Sequence, residues 1–233
     1  MKPSSLIKIV FFLFSFMLTY KGNAQVSIGA DVGVTFNTLR LKNANKVVST
    51  NNGSGYIIII PIQYKISKHL YLEADPSILQ KNYTIENQKQ ITQKIINSYF
   101  QLPLGIESSF DIAPKISVNG LIGIYGAYWL NSKINGSAPN VFDISEQSTG
   151  TEEQINLQKI NTTYNIDSKY DNRYEFGWTG RIGINYTLTK RLCFTIKGNL
   201  YRSLTDQQKT ISEPEVQKYN QTFAITTGVS SRL

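Results

Sequence analysis

The sequence predicts an all-β fold, an eight-stranded antiparallel up-and-down transmembrane β-barrel with short periplasmic turns and long extracellular loops. Three observations predict it. Segments that alternate apolar and polar residues recur along the chain, long and short connections alternate between them, and the apolar faces are bulky and rich in aromatic rings. Successive side chains of a strand point to opposite faces, so each segment has one apolar and one polar face.

The N-terminal residues predict export. Two lysines among the first eight residues accompany an apolar run from Ile9 to Leu18, and small residues stand three and one positions before Gln25. This order is typical of a cleavable secretory signal. The run is shorter than the ~20 apolar residues that a membrane-spanning helix needs. We expect residues 1–24 to be a signal peptide for the general secretory route and residues 25–233 to form the barrel domain.

Eight alternating segments follow the signal. They cover residues 26–36, 58–66, 70–78, 100–107, 116–130, 174–188, 192–200 and 222–230. The connections between them are alternately long and short, as in an antiparallel barrel with both chain ends on one side. One connection, residues 131–172, is too long for an ordinary compact loop, so it is either an ordered loop, with a strand extension, or partly disordered.

The composition of the two faces decides which one points outward. A soluble barrel packs its apolar face inward and covers its outside with charged residues. In this sequence the polar face is rich in glycine, serine and threonine, with scattered charges. An apolar belt of this size would aggregate in water, so we expect it to face lipid. Rings at the two membrane interfaces are expected at Tyr64, Tyr128, Trp129, Tyr174, Trp178, Tyr186 and Phe194.

The opposite face places charged side chains in the lumen. An eight-stranded barrel is just wide enough for its own interior side chains, so these charges must pair or hydrogen-bond across it. We therefore expect a closed, salt-bridged plug rather than an ion path. The predicted lumen charge network consists of Asp31, Lys65, Glu73, Asp75, Glu107, Glu175, Arg181, Lys197 and Arg232.

Several strands carry a family resemblance. The segment Tyr99–Leu104 (YFQLPL) resembles the "YLEIPLLLK" strand of the PorT-like outer-membrane β-barrel family of Bacteroidota, and "GLIGIYGAYWL", "FGWTGRIGINY" and "RLCFTIKGNLYRSL" are similar to its later strands. Gln101 stands where the family commonly has glutamate, and Leu233 replaces the usual terminal aromatic residue. The resemblance implies an eight-stranded barrel in the outer membrane of a diderm bacterium, with a hint of secretion-system association.

The sequence gives little support for catalysis, for metal binding or for a cofactor. The single histidine, His69, stands in a short turn, at the end of the barrel opposite to the outer rim, and the lone Cys193 cannot form an internal disulfide. Too few His and Cys residues are present for a metal cluster. Removal of the three lysines in residues 1–24 lowers the formal net charge from +8 to +5, spread without a basic stripe, which argues against nucleic-acid binding.

We therefore expect a monomeric, non-enzymatic outer-membrane protein without a cofactor. Its role would be envelope-structural, surface display, or association with secretion or assembly. Its expected partners are outer-membrane lipid and secretion or envelope-assembly proteins. Two alternatives stay open: an outer-membrane enzyme that modifies lipid or peptide, and a small-ligand binder whose cavity at the barrel mouth is lined by Tyr125 and Tyr201.

Overall fold

A computed structural model describes residues 26–42, 48–87, 92–139, 157–209 and 216–233. The predicted signal peptide and residues 140–156 of the long insertion lie outside the described residues. The described chain forms twelve β-strands: β1 (Val26–Lys42), β2 (Val48–Ile59), β3 (Ile62–Lys65), β4 (Leu70–Ala74), β5 (Ser77–Gln80), β6 (Tyr83–Asn87), β7 (Thr92–Ala113), β8 (Ile116–Pro139), β9 (Leu157–Tyr164), β10 (Tyr174–Thr187), β11 (Leu192–Ser203) and β12 (Gln217–Arg232). Within those ranges, no helix is long and apolar enough to cross a membrane.

The strands close into a ring of eight. β1 pairs with β12, and antiparallel pairing continues through β11, β10, β8 and β7. β7 then pairs with β4, β5 and β6, which together make the third barrel strand. β2 and β3 make the second barrel strand, and both pair with β1. The predicted eight-stranded antiparallel up-and-down barrel is confirmed.

Prolines explain two of the breaks that divide eight barrel strands into shorter elements. Pro61 separates β2 from β3, and Pro76 separates β4 from β5. Proline has no N–H to give to a neighbouring strand, so the regular ladder is interrupted there. The carbonyl groups of both prolines still accept hydrogen bonds, from the amides of Gly29 (2.9 Å) and Ile60 (3.0 Å). The wall of the barrel therefore stays closed across both breaks.

The two ends of the barrel differ. At the short-turn end lie the connections 66–69, 114–115 and 188–191, together with Val26 and Leu233. At the long-loop end, β7 and β8 extend beyond the barrel and β9 pairs with β8, from Ser132↔Tyr164 to Pro139↔Leu157. The insertion 131–172 thus contributes a strand extension, one of the two predicted alternatives.

The apolar belt faces outward, as predicted. Ile122 and Ile182, on neighbouring strands, are 77% and 74% exposed, and the apolar residues of every barrel strand repeat this pattern. Seven of the nine predicted lumen charges on the opposite face are buried, among them Asp31 and Arg181. An outward belt of this extent is typical of a transmembrane barrel.

The lumen is not polar throughout. Toward the long-loop end it contains a buried cluster that includes Ile57, Ile59, Leu79, Tyr99, Tyr125, Trp129 and Tyr201. Ile57 and Ile59 interrupt the alternation of apolar and polar residues along their strand, and the structure explains the interruption because both side chains point inward. A narrow barrel is filled by its own side chains, and apolar groups fill it well where no charge needs a partner.

Candidate functional site

The charged centre of the lumen is built around Arg181. The Arg181 side chain points inward because side chains alternate along β10 and that of the next residue, Ile182, points outward. Its Nη1 donates to Glu73 Oε1 (2.7 Å) and to Asp75 Oδ2 (2.9 Å), and its Nη2 donates to both Glu73 and Glu107. All four residues are buried. A planar guanidinium can serve several carboxylates at once because its donors are fixed in a fork.

A second ion pair and an amide extend this centre. Lys197 Nζ lies 2.8 Å from Asp31 Oδ2. Gln63 Nε2 donates to Glu73 Oε2 (2.9 Å) and to Glu107 Oε1 (3.2 Å), so it joins two of the carboxylates that Arg181 contacts. In this part of the lumen, four carboxyl groups therefore face two cations. The stability of this charged centre therefore depends strongly on each of the two cations.

A separate buried ion pair lies nearer the long-loop end. Lys81 Nζ is 2.5 Å from Glu175 Oε1, and it lies 4.8 Å and 5.0 Å from the ring centroids of Tyr99 and Tyr125. The Tyr125 hydroxyl donates to Glu175 Oε1 (2.7 Å), and Asn220 Nδ2 donates to Glu175 Oε2 (2.8 Å). Glu175 is thus fully engaged. Cations above aromatic faces gain further stabilisation when they are shielded from water.

Sequence reasoning missed Lys81. The third segment was predicted to end at Ile78, which left Lys81 outside it, whereas the structure continues the third barrel strand to Asn87. The signal was present, since Asp75, Ser77, Leu79 and Lys81 share one parity and all four are buried. Continuing the alternation three residues past Ile78 would have placed Lys81 in the lumen.

Stacked rings fill the lumen above the Lys81–Glu175 pair. The ring centroids of Tyr99 and Trp129 are 6.0 Å apart, and those of Trp129 and Tyr164 are 6.2 Å apart. Trp129 was predicted in the interfacial girdle, and this is corrected: its side chain is only 4% exposed. Tyr128 and Leu130 point outward, so the residue between them must point inward.

Two connections are tied together over the long-loop end. Asp171 accepts hydrogen bonds from the Tyr164 hydroxyl (3.1 Å) and from the backbone amide of Asp167 (2.8 Å). The amide of Lys209, on the other connection, donates to the carbonyl of Tyr170 (2.8 Å). Partial burial raises the pKa of Tyr164, and the neighbouring carboxylate of Asp171 raises it further. Tyr164 therefore stays protonated and serves as a donor at neutral pH.

Lys65 and Arg232 lie outside the ion-paired network to which they were assigned, and this too is corrected. Both stand at strand ends, where they line a cavity of about 260 Å³ at the short-turn end, together with Lys68, Arg191 and Asp111. Neither forms an ion pair within the part of the chain that the structure describes. Side chains at strand ends reach water, so they have no need of a buried partner.

The other predicted girdle residues point outward. Tyr128 and Tyr174 lie together toward the long-loop end, with ring centroids 5.3 Å apart, and Arg173 lies 5.9 Å from the ring of Tyr128. Toward the short-turn end, Tyr186 pairs with Phe194 across β10 and β11. The remaining two, Trp178 and Tyr64, lie on the outer face of β10 and β3.

The residues considered for chemistry lie apart from one another. His69 lies in the short turn, where its Nδ1 is 3.0 Å from the carbonyl of Ser109 and its ring stacks on Phe110. Tyr125 and Tyr201 are enclosed in the lumen, with ring centroids 5.8 Å apart, and do not line an open mouth. Over the described ranges, no group of three or more His, Cys, Asp or Glu residues is arranged to hold a metal ion.

Comparison with protein-family models agrees with this architecture. The family model "Outer membrane protein beta-barrel domain" matches residues 19–208. The chain is similar to the crystal structure of Neisserial surface protein A, NspA, with 9% identity over 90% of this chain and 97% of that chain and a TM-score of 0.47. It is also similar to OprG from Pseudomonas aeruginosa (11% identity, 89% and 95% coverage, TM-score 0.47) and to the outer membrane protease OmpT from Escherichia coli (10% identity, 89% and 97% coverage, TM-score 0.47). No curated protein matches the chain.

Proposed function

We propose that this chain, which belongs to the family of the outer membrane protein beta-barrel domain, is a monomeric barrel that neither conducts ions nor catalyses a reaction. It lies in the outer membrane. Its role is structural and display-related, carried by the surfaces it presents outside the membrane. The observation that carries this proposal is a lumen filled with side chains at successive levels.

Three levels of contact support a closed lumen. Nearest the short-turn end, Arg181 is bound by three carboxylates. Above it, Lys81 and Glu175 form a fully buried pair. Above that pair, the stacked rings of Tyr99 and Trp129 are covered by the connection that carries Gln207, whose Nε2 donates to the Tyr99 hydroxyl (3.3 Å). Channels of the porin type need about sixteen strands to leave an aqueous path.

The long-loop end supports a display role. There the upper parts of β7 and β8, together with β9, form a sheet that rises beyond the apolar belt. Lys94, Lys133 and Lys159 are exposed on it. In the described part of the chain, β9 pairs only with β8. Long extracellular connections of this kind are where outer-membrane barrels present binding surfaces.

Ion conductance tests the proposal directly. The refolded barrel should give no conductance steps in a planar lipid bilayer, whereas a sixteen-stranded porin in the same bilayer supplies the positive control. The same preparation should not hydrolyse phospholipid or peptide substrates beyond a heat-denatured sample. A reproducible conducting state, or turnover that is lost on heating, would contradict the proposal.

Within the family, the resemblance of several strands supports placement in the PorT-like group of Bacteroidota, and with it contact with secretion or envelope-assembly proteins. The cavity at the short-turn end suits such contact, because Lys65, Lys68, Arg191 and Arg232 line it and face the periplasm. Cationic groups at a surface attract acidic partners and steer their approach.

A photo-crosslinking amino acid distinguishes the two ends in living cells. Placed at Lys190, in the turn between β10 and β11, it should yield discrete crosslinked protein bands. Placed at Thr163, exposed on β9 at the other end, it should not yield the same bands. Identical bands from both positions, or none from Lys190, would argue against a periplasmic partner.

A further inference from the structure

We propose that a cavity on the outer surface of the barrel, at the long-loop end, binds the phosphate groups of a glycolipid of the outer leaflet. Its cationic lining residues are Arg40, Lys42 and Arg202, with Tyr219 beside them. We refer to these four residues as the cationic collar. The proposal is independent of whether the barrel has a protein partner.

The collar lies just above the apolar belt. Leu200, Phe223 and Phe36 form one row across β11, β12 and β1, and the next row toward the long-loop end is Arg202, Gln221 and Thr38. The row after that pairs Tyr219 with Arg40, and the last pairs Gln217 with Lys42. With the usual rise and tilt of barrel strands, Arg40 stands about 9 Å above Phe36 along the barrel axis. The outer face thus changes from apolar to cationic within a few residues, at the depth where lipid headgroups lie.

The cationic side chains of the collar are uncommitted. Among the described residues, Arg40, Lys42 and Arg202 make no ion pair and no side-chain hydrogen bond. Among the residues that the structure describes, none that lines the cavity is acidic, and the cavity volume is about 330 Å³. Asp206, in the adjacent connection, already accepts hydrogen bonds from the amides of Gln208 and Lys218 (3.0 Å each). The described residues that line the cavity therefore carry a net positive charge.

The chemistry of these groups selects phosphate attached to lipid. Arginine forks bind phosphate oxygens with two parallel hydrogen bonds, and lysine adds a point charge. Leu204, which is 67% exposed, also lines the cavity, and its amide donates to the carbonyl of Phe176 on the apolar outer face of β10. A phosphorylated glycolipid offers both anionic groups and acyl chains, whereas a free anion can use only the cations. We therefore assign the site to the lipid headgroup.

Native mass spectrometry of the barrel in detergent micelles tests the assignment. The probes are diphosphorylated lipid A, the same lipid with its phosphates removed, and inorganic phosphate. The site variant carries Arg40→Gln, Lys42→Gln and Arg202→Gln. The matched control carries Lys94→Gln, Lys133→Gln and Lys159→Gln, three exposed cations on other strands of the same end. Heat-modifiable migration on gels verifies that each variant is folded.

We expect the wild-type barrel and the control to bind one diphosphorylated lipid A with equal affinity. The site variant should bind it at least about tenfold more weakly, as the loss of even one charged hydrogen bond predicts. The dephosphorylated lipid should bind as weakly to the wild type. Equal losses in both variants, or equal binding of the dephosphorylated lipid, would overturn the proposal. Inorganic phosphate that binds the wild type as tightly as lipid A would show a free-anion site instead.

Discussion

Replacement of Arg181 by methionine should lower the free energy of unfolding by about 3–5 kcal/mol, or prevent refolding altogether. The substitution keeps most of the side-chain volume but leaves Glu73, Asp75 and Glu107 buried without the guanidinium they share. Lys197 is then the one cation among the described residues of this centre, and it is already paired with Asp31. Urea titration of the barrel in lipid vesicles, followed by heat-modifiable gel migration, gives the difference.

Measuring the stability of the Arg181→Met barrel at acid pH distinguishes the loss of charge from the loss of packing. Lowering the pH to about 4 protonates stranded carboxylates, so the Arg181→Met barrel should regain part of its stability relative to the wild type. The wild type should gain less, because Arg181 and Lys197 already offset part of the charge of its four carboxyl groups. Arg191→Met, in an exposed turn, is the control and should change the unfolding free energy by less than about 1 kcal/mol. If the Arg181→Met barrel stays equally weakened at both pH values, packing and not charge is responsible.

Replacement of Lys81 by methionine should cost a similar amount, about 3–5 kcal/mol, since it leaves Glu175 buried and unpaired. It also removes the cation from between the rings of Tyr99 and Tyr125. The measurement is again urea unfolding in vesicles. The exposed Lys94→Met is the matched control, and it should be close to neutral.

A double variant measures the energetic coupling between Lys81 and Glu175. Lys81→Met combined with Glu175→Gln removes both charges, and the amide can still accept from the Tyr125 hydroxyl and from Asn220 Nδ2. We expect the double variant to be more stable than Lys81→Met alone, because no buried charge is left uncompensated. Strictly additive effects of the two substitutions would show that the pair is not coupled and would refute this account of Glu175.

The fold can be predicted from the sequence because the alternation of side chains that specifies each strand is a local feature. Side chains of a strand alternate between two faces, and one continuous segment such as Tyr174–Leu188 carries enough alternation to show which face is apolar. The composition of that face then decides its orientation toward lipid. The boundaries were harder to predict, since β7 begins at Thr92 and not near Phe100, in a stretch whose outward residues are mostly polar, as at Thr92, Lys94 and Ser98. Above the membrane the outer face is no longer apolar, so the pattern fades.

The lumen was harder to predict because its contacts join residues far apart in the chain. Asp31, Glu73 and Arg181 can each be assigned to the inner face by alternation, but which acid meets which base depends on the register and tilt of strands on opposite walls. Lys81 was missed because the third segment was ended at Ile78, although the alternation continues beyond it. Trp129 was assigned by residue type, and alternation, which is the stronger constraint, places it inward. The identity of an external partner is not encoded in these patterns.

The seam between β1 and β12 has a consequence for biogenesis. These two strands come from opposite ends of the described chain and pair without interruption from Ser27↔Arg232 to Lys42↔Gln217. Until β12 arrives, β1 has a free edge that hydrocarbon cannot satisfy. Productive insertion must therefore wait for the last strand, and a nascent or clipped chain that lacks it has to be held away from lipid or degraded.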